Sequence, residues 1–248
     1  MRTLWHDLRY ALRLARINPG FTAVAVLSLT LGIGANTVLF SIVYGVLLKP
    51  LPYTHPEQLA RLVRSASEPD ITMPEFQFWK EHSTVFDSVA ASRYAGDTSL
   101  IIDGAARNLW TIMVTTDFFR TLGVPLALGR EFNSEETVPN GPEAVILTHG
   151  LWQLAFANDT GIIGRTIMLG DTPRTVVGVL PAGFWYPQGV DAFVPFRVTG
   201  NVSDTGTNSE MIGRLKPGVS FRQAAAATFA LRQPFREAAM LPYPLDPG

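Results

Sequence analysis

Residues 21–48 read FTAVAVLSLTLGIGANTVLFSIVYGVLL and contain no charged residue and no histidine. A helix needs roughly 20 predominantly apolar residues to cross the hydrocarbon core of a bilayer, and this stretch is longer. It exceeds the usual length of a buried helix in a soluble protein. A secretory signal has a shorter apolar region, of about 7 to 15 residues, before a small-residue cleavage site, whereas this stretch ends in Lys49-Pro50-Leu51-Pro52. The sequence therefore predicts one uncleaved transmembrane helix over residues 21–48.

The charges around this helix predict its orientation. Four arginines and one acid, Asp7, precede it, whereas only Lys49 follows it closely. Because basic residues accumulate on the cytoplasmic side of a membrane helix, we expect a cytoplasmic N-terminus and export of residues 53–248.

Residues 1–20 are predicted to form a cytoplasmic, basic amphipathic helix. Leucines recur there at four-residue spacing, the arginines lie on the other faces, and Asn18-Pro19-Gly20 separates this helix from the membrane helix. We expect Arg9, Arg13 and Arg16 to contact the inner membrane leaflet or a cytoplasmic partner. The alternative is that the arginines act only as a topology signal.

Small and polar residues form a stripe along the predicted membrane helix. Ser28, Gly32 and Asn36 are spaced four residues apart and so share one face. Such a face lets another helix approach closely and form hydrogen bonds within the membrane. We expect a helix-packing site, the alternative being polar residues that the membrane tolerates.

Composition excludes several classes of function. The chain has 248 residues with 20 basic and 21 acidic residues, so it lacks the basic field of a nucleic-acid-binding protein. It has no cysteine, and hence no disulfide, thiolate metal site or cysteine nucleophile. Its four histidines are scattered and no phosphate-binding loop occurs, so the sequence predicts no metal, no cofactor and no enzymatic activity.

Residues after 52 have the pattern of an α+β domain, with short apolar runs, turn residues and helical segments in alternation. Thr72 with Glu75, and Ser220 with Gln223, each have the spacing of a capping box at a helix N-terminus. The Gly170-Asp171 turn predicts a hairpin. The predicted strands are 59–64, 109–115, 144–147, 165–169, 174–180 and 211–215.

A series of motifs occurs between residue 1 and about residue 232. The motifs are Leu31-Gly32-Ile33-Gly34-Ala35-Asn36-Thr37, Leu48-Lys49-Pro50-Leu51-Pro52-Tyr53, Phe119 with Leu122-Gly123-Val124, Gly129-Arg130-Glu131-Phe132, Leu151-Trp152, Ile163-Gly164-Arg165-Thr166, Val176–Pro181 and Arg214–Ser220. In the order and spacing of these motifs the chain resembles the N-terminal part of MacB-type ABC transporter permeases, especially the branch in which the permease unit is duplicated in one polypeptide.

This resemblance implies one transmembrane helix followed by a two-lobed MacB-like periplasmic core over residues 53–232. One lobe would comprise about 53–130 plus 205–232 and the other about 131–200, with no single sheet through both. The family's three later FtsX-type membrane helices do not occur in the sequence, and residues 233–248 depart from its pattern. We therefore expect an irregular tail and a truncated permease.

The resemblance also implies that a separate cytoplasmic ABC ATPase hydrolyses ATP and that the permease passes the motion to the periplasmic side. The expected partners are membrane lipid, this ATPase, and other permease helices or a second permease unit, in the bacterial inner membrane. Nucleic acid is not among them. A transport component without catalysis is thus the leading hypothesis. The alternatives are a membrane-anchored extracytoplasmic binding or sensor module and an anchored hydrolase.

Overall fold

The computed structural model describes residues 13, 16–43, 53–64, 69–102, 104–184, 186–197, 206 and 208–239. The chain divides into two compact units, Met1–Leu51 and Pro52–Gly248. In chain order the elements are α1 (Pro19–Val43), a 3-10 turn (Pro56–Gln58), β1 (Leu59–Leu62), α2 (Met73–His82), β2 (Phe86–Ile102), β3 (Ala105–Val114), α3 (Phe118–Leu122), β4 (Leu128–Gly129), β5 (Ala144–Leu147), α4 (His149–Phe156), a second 3-10 turn (Thr160–Ile162), β6 (Thr166–Leu169), β7 (Thr172–Val179), β8 (Ala192–Pro195), β9 (Glu210–Leu215), α5 (Phe221–Ala230) and α6 (Arg232–Ala239).

Helix α1 is the long apolar helix that the sequence predicts. It begins at Pro19, where proline fits the first turn because no intrahelical N–H bond is needed there. Asn18 is not helical, although Arg16 and Ile17 are. The predicted break is therefore confirmed at Asn18, and α1 starts two residues earlier than predicted. Residues 44–48 of the predicted span lie outside the described residues.

Nine strands among the described residues of the second unit form one mixed sheet in the order β1-β9-β2-β3-β8-β5-β7-β4, with β6 also paired to β7. Strands β3 and β8 are parallel, as are β5 and β7, and the other pairs are antiparallel. The Gly170 N–H donates to the Ser99 carbonyl at 2.7 Å, so the β6–β7 turn lies against β2. The sheet thus curls back on itself at this end.

The prediction that no single sheet runs through both lobes is wrong. Strand β3 from one predicted lobe pairs with β8 from the other over residues 111–114 and 192–195. The sequence pattern had not predicted β8, which is only four residues long and buried throughout. Since strands buried on both faces lack the alternation that identifies a half-exposed strand, the connection between the two sets of strands was missed.

Three clusters of buried side chains nevertheless divide the interior along the sheet. One lies beneath α2 at the β1–β9–β2 end, and a second lies beneath α4 around β5, β6 and β7. The third joins residues of both predicted lobes, with Phe118 and Phe119 of α3 against Phe193 of β8. Each of these phenylalanines is almost fully buried, which contributes about 1.5–3 kcal/mol per side chain. The central cluster therefore holds the two ends of the sheet together.

Both predicted capping boxes are confirmed. The Thr72 side chain accepts from the Glu75 N–H at the start of α2, and Ser220 with Gln223 does the same at the start of α5. The predicted hairpin is also confirmed, since β6 and β7 pair in antiparallel register with Leu169 opposite Thr172 at the turn.

The prediction of an irregular tail from residue 233 is wrong for residues 233–239, which belong to α6. Pro234 lies in the first turn of this helix, where its missing N–H costs no hydrogen bond. Phe235 is buried and meets Phe78 of α2 edge to face, with ring centroids 5.5 Å apart. Packing of one aromatic side chain therefore extends the fold past the predicted boundary. Residues 240–248 lie outside the described residues.

Candidate membrane and partner contact sites

Helix α1 has the length and surface of a membrane-spanning helix. Its 25 residues span about 38 Å at about 1.5 Å per residue, more than the roughly 30 Å of a hydrocarbon core. Within Pro19–Ser41 the most apolar window of 18 residues has a mean hydropathy of 1.9, and none of that window is buried. Leu27, Leu31 and Phe40 are all more than half exposed. Such a surface is unfavourable in water and favourable in lipid.

The predicted stripe Ser28, Gly32 and Asn36 lies on continuous α-helix, so the three positions do share a face. A Cβ placed on Gly32 would meet no atom within 4 Å, which leaves room for a neighbouring backbone. Among the described residues, neither Ser28 nor Asn36 has a side-chain hydrogen bond.

Other hydroxyl groups of α1 are satisfied within the helix. Thr30, Thr37 and Ser41 each donate to the carbonyl four residues earlier, at 2.7 to 2.8 Å. Ser28 and Asn36 therefore differ from these polar side chains in having hydrogen-bonding groups that a second helix can satisfy. That contact stays a prediction.

Two of the three predicted basic contact residues, Arg13 and Arg16, are helical and exposed. Arg9 lies outside the described residues. An exposed guanidinium on a helix before a membrane span suits anionic lipid or an acidic protein surface, and both contacts stay predictions.

Residues 53–58, which we call the stem segment, follow α1 in the chain and are bound into the second unit. The ring centroids of Tyr53 and Phe184 lie 6.4 Å apart in an edge-to-face arrangement. Burial raises the pKa of the Tyr53 hydroxyl to about 12. Phe184 in turn contacts Phe119 and Phe193, with centroids 6.0 and 5.9 Å away. The Thr54 hydroxyl donates to the Gly123 carbonyl at 2.9 Å. The stem segment is therefore attached to the central core from its first residue.

Arg214 of β9 contacts the same segment from the other side. Its Nε donates to the Thr121 carbonyl at 2.9 Å, and its Nη1 lies 3.4 Å from the His55 carbonyl and 3.5 Å from Gln58 Oε1. The side chain is buried, with 9% of the residue exposed. Sequence reasoning assigned no role to Tyr53 or Arg214, although both lie in motifs that carry the family resemblance.

A further motif, Gly129-Arg130-Glu131-Phe132, is structural. A Cβ on Gly129 would lie 2.1 Å from the Val177 carbonyl oxygen, so glycine alone fits beside β7. Arg130 then forms two bonds of 3.0 and 2.7 Å to the buried Glu136 carboxylate. This pair fixes the loop that leads from β4 to β5.

A cleft of about 470 Å³ opens beside the start of α4. The Asp191 carboxylate at its wall accepts from the Trp110 backbone N–H at 3.0 Å, and the Asp191 carbonyl accepts from the Thr148 hydroxyl at 2.9 Å. The Asp191 carboxylate and the Thr148 hydroxyl therefore form hydrogen bonds within the fold itself. The lining residues, none of which is a histidine, are Arg107, Thr148, Gly150, Leu151, Leu154, Phe184, Pro187, Gly189, Val190, Asp191 and Phe193.

The histidines of the second unit are separated and bonded locally. His55 pairs with Glu57, His82 with the Phe78 carbonyl, and His149 meets the Trp152 ring edge to face. Within the described ranges no group of three or more His, Asp or Glu residues is placed to hold a metal ion.

The sequence matches the family described as the MacB-like periplasmic core domain over residues 22–230. The chain belongs to this family. The matched region begins inside α1 and ends at the last residue of α5, so the family's pattern includes the apolar helix as well as the sheet. No curated protein sequence matches the chain at a significant level.

Solved structures share the fold of this MacB-like chain. The periplasmic region of MacB from Actinobacillus actinomycetemcomitans superposes with a TM-score of 0.54 at 15% identity, covering 69% of this chain and 75% of that one. A domain described as part of a permease protein from Porphyromonas gingivalis gives 0.53 at 15% identity, with 74% and 84% covered.

The extracellular domain of the noncanonic ABC-type transporter YknZ from Gram-positive bacteria gives a TM-score of 0.50 at 16% identity, with 73% of this chain and 92% of that one covered. The three comparisons confirm the predicted resemblance and the α+β fold class. The chain is thus a MacB-like periplasmic core domain together with one apolar helix at its N-terminal side.

Proposed function

We propose that this chain is a non-catalytic permease component of an ABC transporter in the bacterial inner membrane. Helix α1 crosses the membrane with its N-terminus in the cytoplasm and holds the sheet domain outside. ATP is hydrolysed by a separate cytoplasmic subunit, and α1 passes the resulting motion to the domain. The observation that carries the proposal is that a fully exposed apolar helix and a MacB-like core occupy one continuous family match.

Charge and surface features support the assignment of partners. The arginines before α1 favour a cytoplasmic N-terminus, and the exposed Arg13 and Arg16 suit the inner leaflet or the ATPase. Ser28, Gly32 and Asn36 suit other permease helices, either of the same permease or of a second unit. The Asp191 carboxylate and the Thr148 hydroxyl at the cleft bond to the fold, and the described lining residues form no nucleophile–base pair, which supports a role without catalysis.

Topology provides the first test. Reporter fusions at Pro56 and Gly218 should be active only outside the cytoplasm, and a fusion before Arg2 only inside it. The opposite pattern would refute the orientation. Exchanging Arg9, Arg13 and Arg16 together for Glu should weaken both the topology signal and ATPase contact, the latter measured by crosslinking in a complete permease.

Coupling provides the second test. In a complete permease reconstituted with its ATPase, ATP should change the distance between a label on the sheet domain and one on the membrane. A domain that stays still during ATP turnover, but moves when a small molecule fills the cleft beside α4, would instead favour an anchored binding or sensor module. The observation that favours a binding or sensor module as the second candidate function is the cleft of about 470 Å³.

A further inference from the structure

The stem segment is held at three successive residues by three different parts of the domain. Tyr53 inserts its ring beside Phe184, the Thr54 hydroxyl bonds the Gly123 carbonyl, and the His55 carbonyl faces the Arg214 guanidinium. A flexible tether between a membrane helix and a domain requires no such contacts. The segment is therefore a fixed attachment.

Arg214 stands at the centre of this attachment. Its backbone pairs with Leu59 of β1 on one side and with Ser88 of β2 on the other, so it is part of an interior strand. Its side chain joins the C-terminal end of α3, through the Thr121 carbonyl, to the stem segment. One guanidinium thus links a strand, a helix end and the chain that leaves the membrane.

The acceptors of Arg214 are all neutral. They are two backbone carbonyls and the Gln58 amide oxygen, and among the described residues no carboxylate forms an ion pair with this guanidinium. The exposed Glu57 carboxylate interacts electrostatically with Arg214 without forming an ion pair, so the buried guanidinium depends on these hydrogen bonds to offset the cost of its burial. The planar fork of arginine directs its donors at carbonyls that lie apart, whereas the three N–H donors of lysine all lie on one nitrogen.

The space around the guanidinium is closed. Its Nη2 is buried and has no hydrogen-bond partner in the described ranges, and a Cβ on Gly123 would lie 2.9 Å from it. This close packing holds the guanidinium between Gly123 and the stem segment, which suits a structural contact.

We propose that Arg214 is a positioning residue that locks the stem segment to the sheet, so that displacement of the stem segment reaches β9, β2 and β3. This inference rests on the proposed function, since it concerns the route by which that motion enters the domain.

The chain has no cysteine, so paired spin labels can be introduced without background. Labels at Glu57→Cys in the stem segment and Thr166→Cys in β6, both exposed positions, report the distance between stem and sheet in the full chain in lipid nanodiscs. With Arg214 present the distance distribution should be narrow. Arg214→Met and Arg214→Lys should both lose the narrow distribution, while Arg120→Met, an exposed guanidinium on neighbouring α3, should keep it.

Thr54→Val provides a variant that leaves the core intact. It removes only the hydroxyl bond to Gly123 at an exposed residue, and it should broaden the distribution while the melting temperature falls by only a few degrees. An unchanged width in both Thr54→Val and a folded Arg214 variant, or a broad distribution in the parent chain, would overturn the inference.

The same labels separate this inference from the proposed function. In a complete permease with its ATPase, Arg214→Lys should leave the rate of ATP hydrolysis unchanged. The same variant should abolish the ATP-dependent displacement of the sheet domain. A parent complex whose domain does not move with ATP refutes the proposed function, while the narrow distribution and its loss in Arg214 variants would still support the fixed attachment.

Discussion

Replacing Gly123 by Ala tests whether the stem segment is packed as tightly as its contacts indicate. Gly123 ends α3 in the left-handed region at φ 69° and ψ 36°, where alanine costs about 1–2 kcal/mol. The new Cβ would lie 2.8 Å from Thr54 Cβ and 2.9 Å from Arg214 Nη2. The stem must then shift, which forfeits about one neutral hydrogen bond and one to a charged group, worth about 2–4 kcal/mol together. The free energy of unfolding should therefore fall by about 3–6 kcal/mol.

Gly164→Ala is the matched control for this variant. Gly164 also has a positive φ, of 83°, but its Cβ would meet no atom within 4 Å, so only the strain of about 1–2 kcal/mol applies. Thermal unfolding of the full chain in detergent, followed by near-ultraviolet circular dichroism, should place Gly123→Ala at least about 4 °C below Gly164→Ala, since 1 kcal/mol shifts the melting temperature by about 2–4 °C at this size. Equal melting temperatures would refute the tight packing of stem against α3.

Three further changes have distinct expected results. Asn36→Leu should weaken assembly with other permease helices by about 0.6–2 kcal/mol without reducing insertion, as measured by association in nanodiscs; unchanged association would remove the packing role. Glu136→Gln should lower the free energy of unfolding by about 1.5–3 kcal/mol through its bonds to Arg130, against about 0–1 kcal/mol for the exposed Asp159→Asn control. Burial raises the pKa of Glu131 above 4.5, because it disfavours the charged carboxylate. The protonated side chain therefore adds to the free energy of unfolding below pH 4.5, and this contribution is lost as pH rises through the folded-state pKa. Glu131→Gln should therefore raise the melting temperature at pH 7 and not below pH 4.5.

The features predicted correctly depend on neighbouring residues in the sequence. The long uncharged stretch predicts α1, and the capping boxes at Thr72 and Ser220 predict the starts of α2 and α5, because the groups that form them lie within a few residues. The hairpin of β6 and β7 follows from its two-residue turn at Gly170. Local chemistry decides these elements.

The features that were missed depend on distant residues. Strand β2 combines buried and exposed stretches over 17 residues, with no single period, and β8 is buried throughout. Arg214 and Thr121 are far apart in the chain, and the antiparallel pairing of β9 with β2, the neighbour of β3, brings the guanidinium to the end of α3. No local pattern encodes such a contact, although the motifs that carry the family resemblance contain several of the residues involved.

The continuity of the sheet determines what a fixed stem segment can move. Strand β9 is bonded to the stem segment through Arg214 and to β2 by backbone hydrogen bonds, and β2 pairs in turn with β3. Four residue pairs between β3 and β8 then connect this end to β5 and β7. Two separate sheets would meet only through side chains, which can slide, whereas a hydrogen-bonded register cannot shift by one residue without turning every side chain to the opposite face. If α1 displaces the stem as proposed, both ends of the domain must therefore move as one body, and the β3–β8 pairing is the step on which that depends.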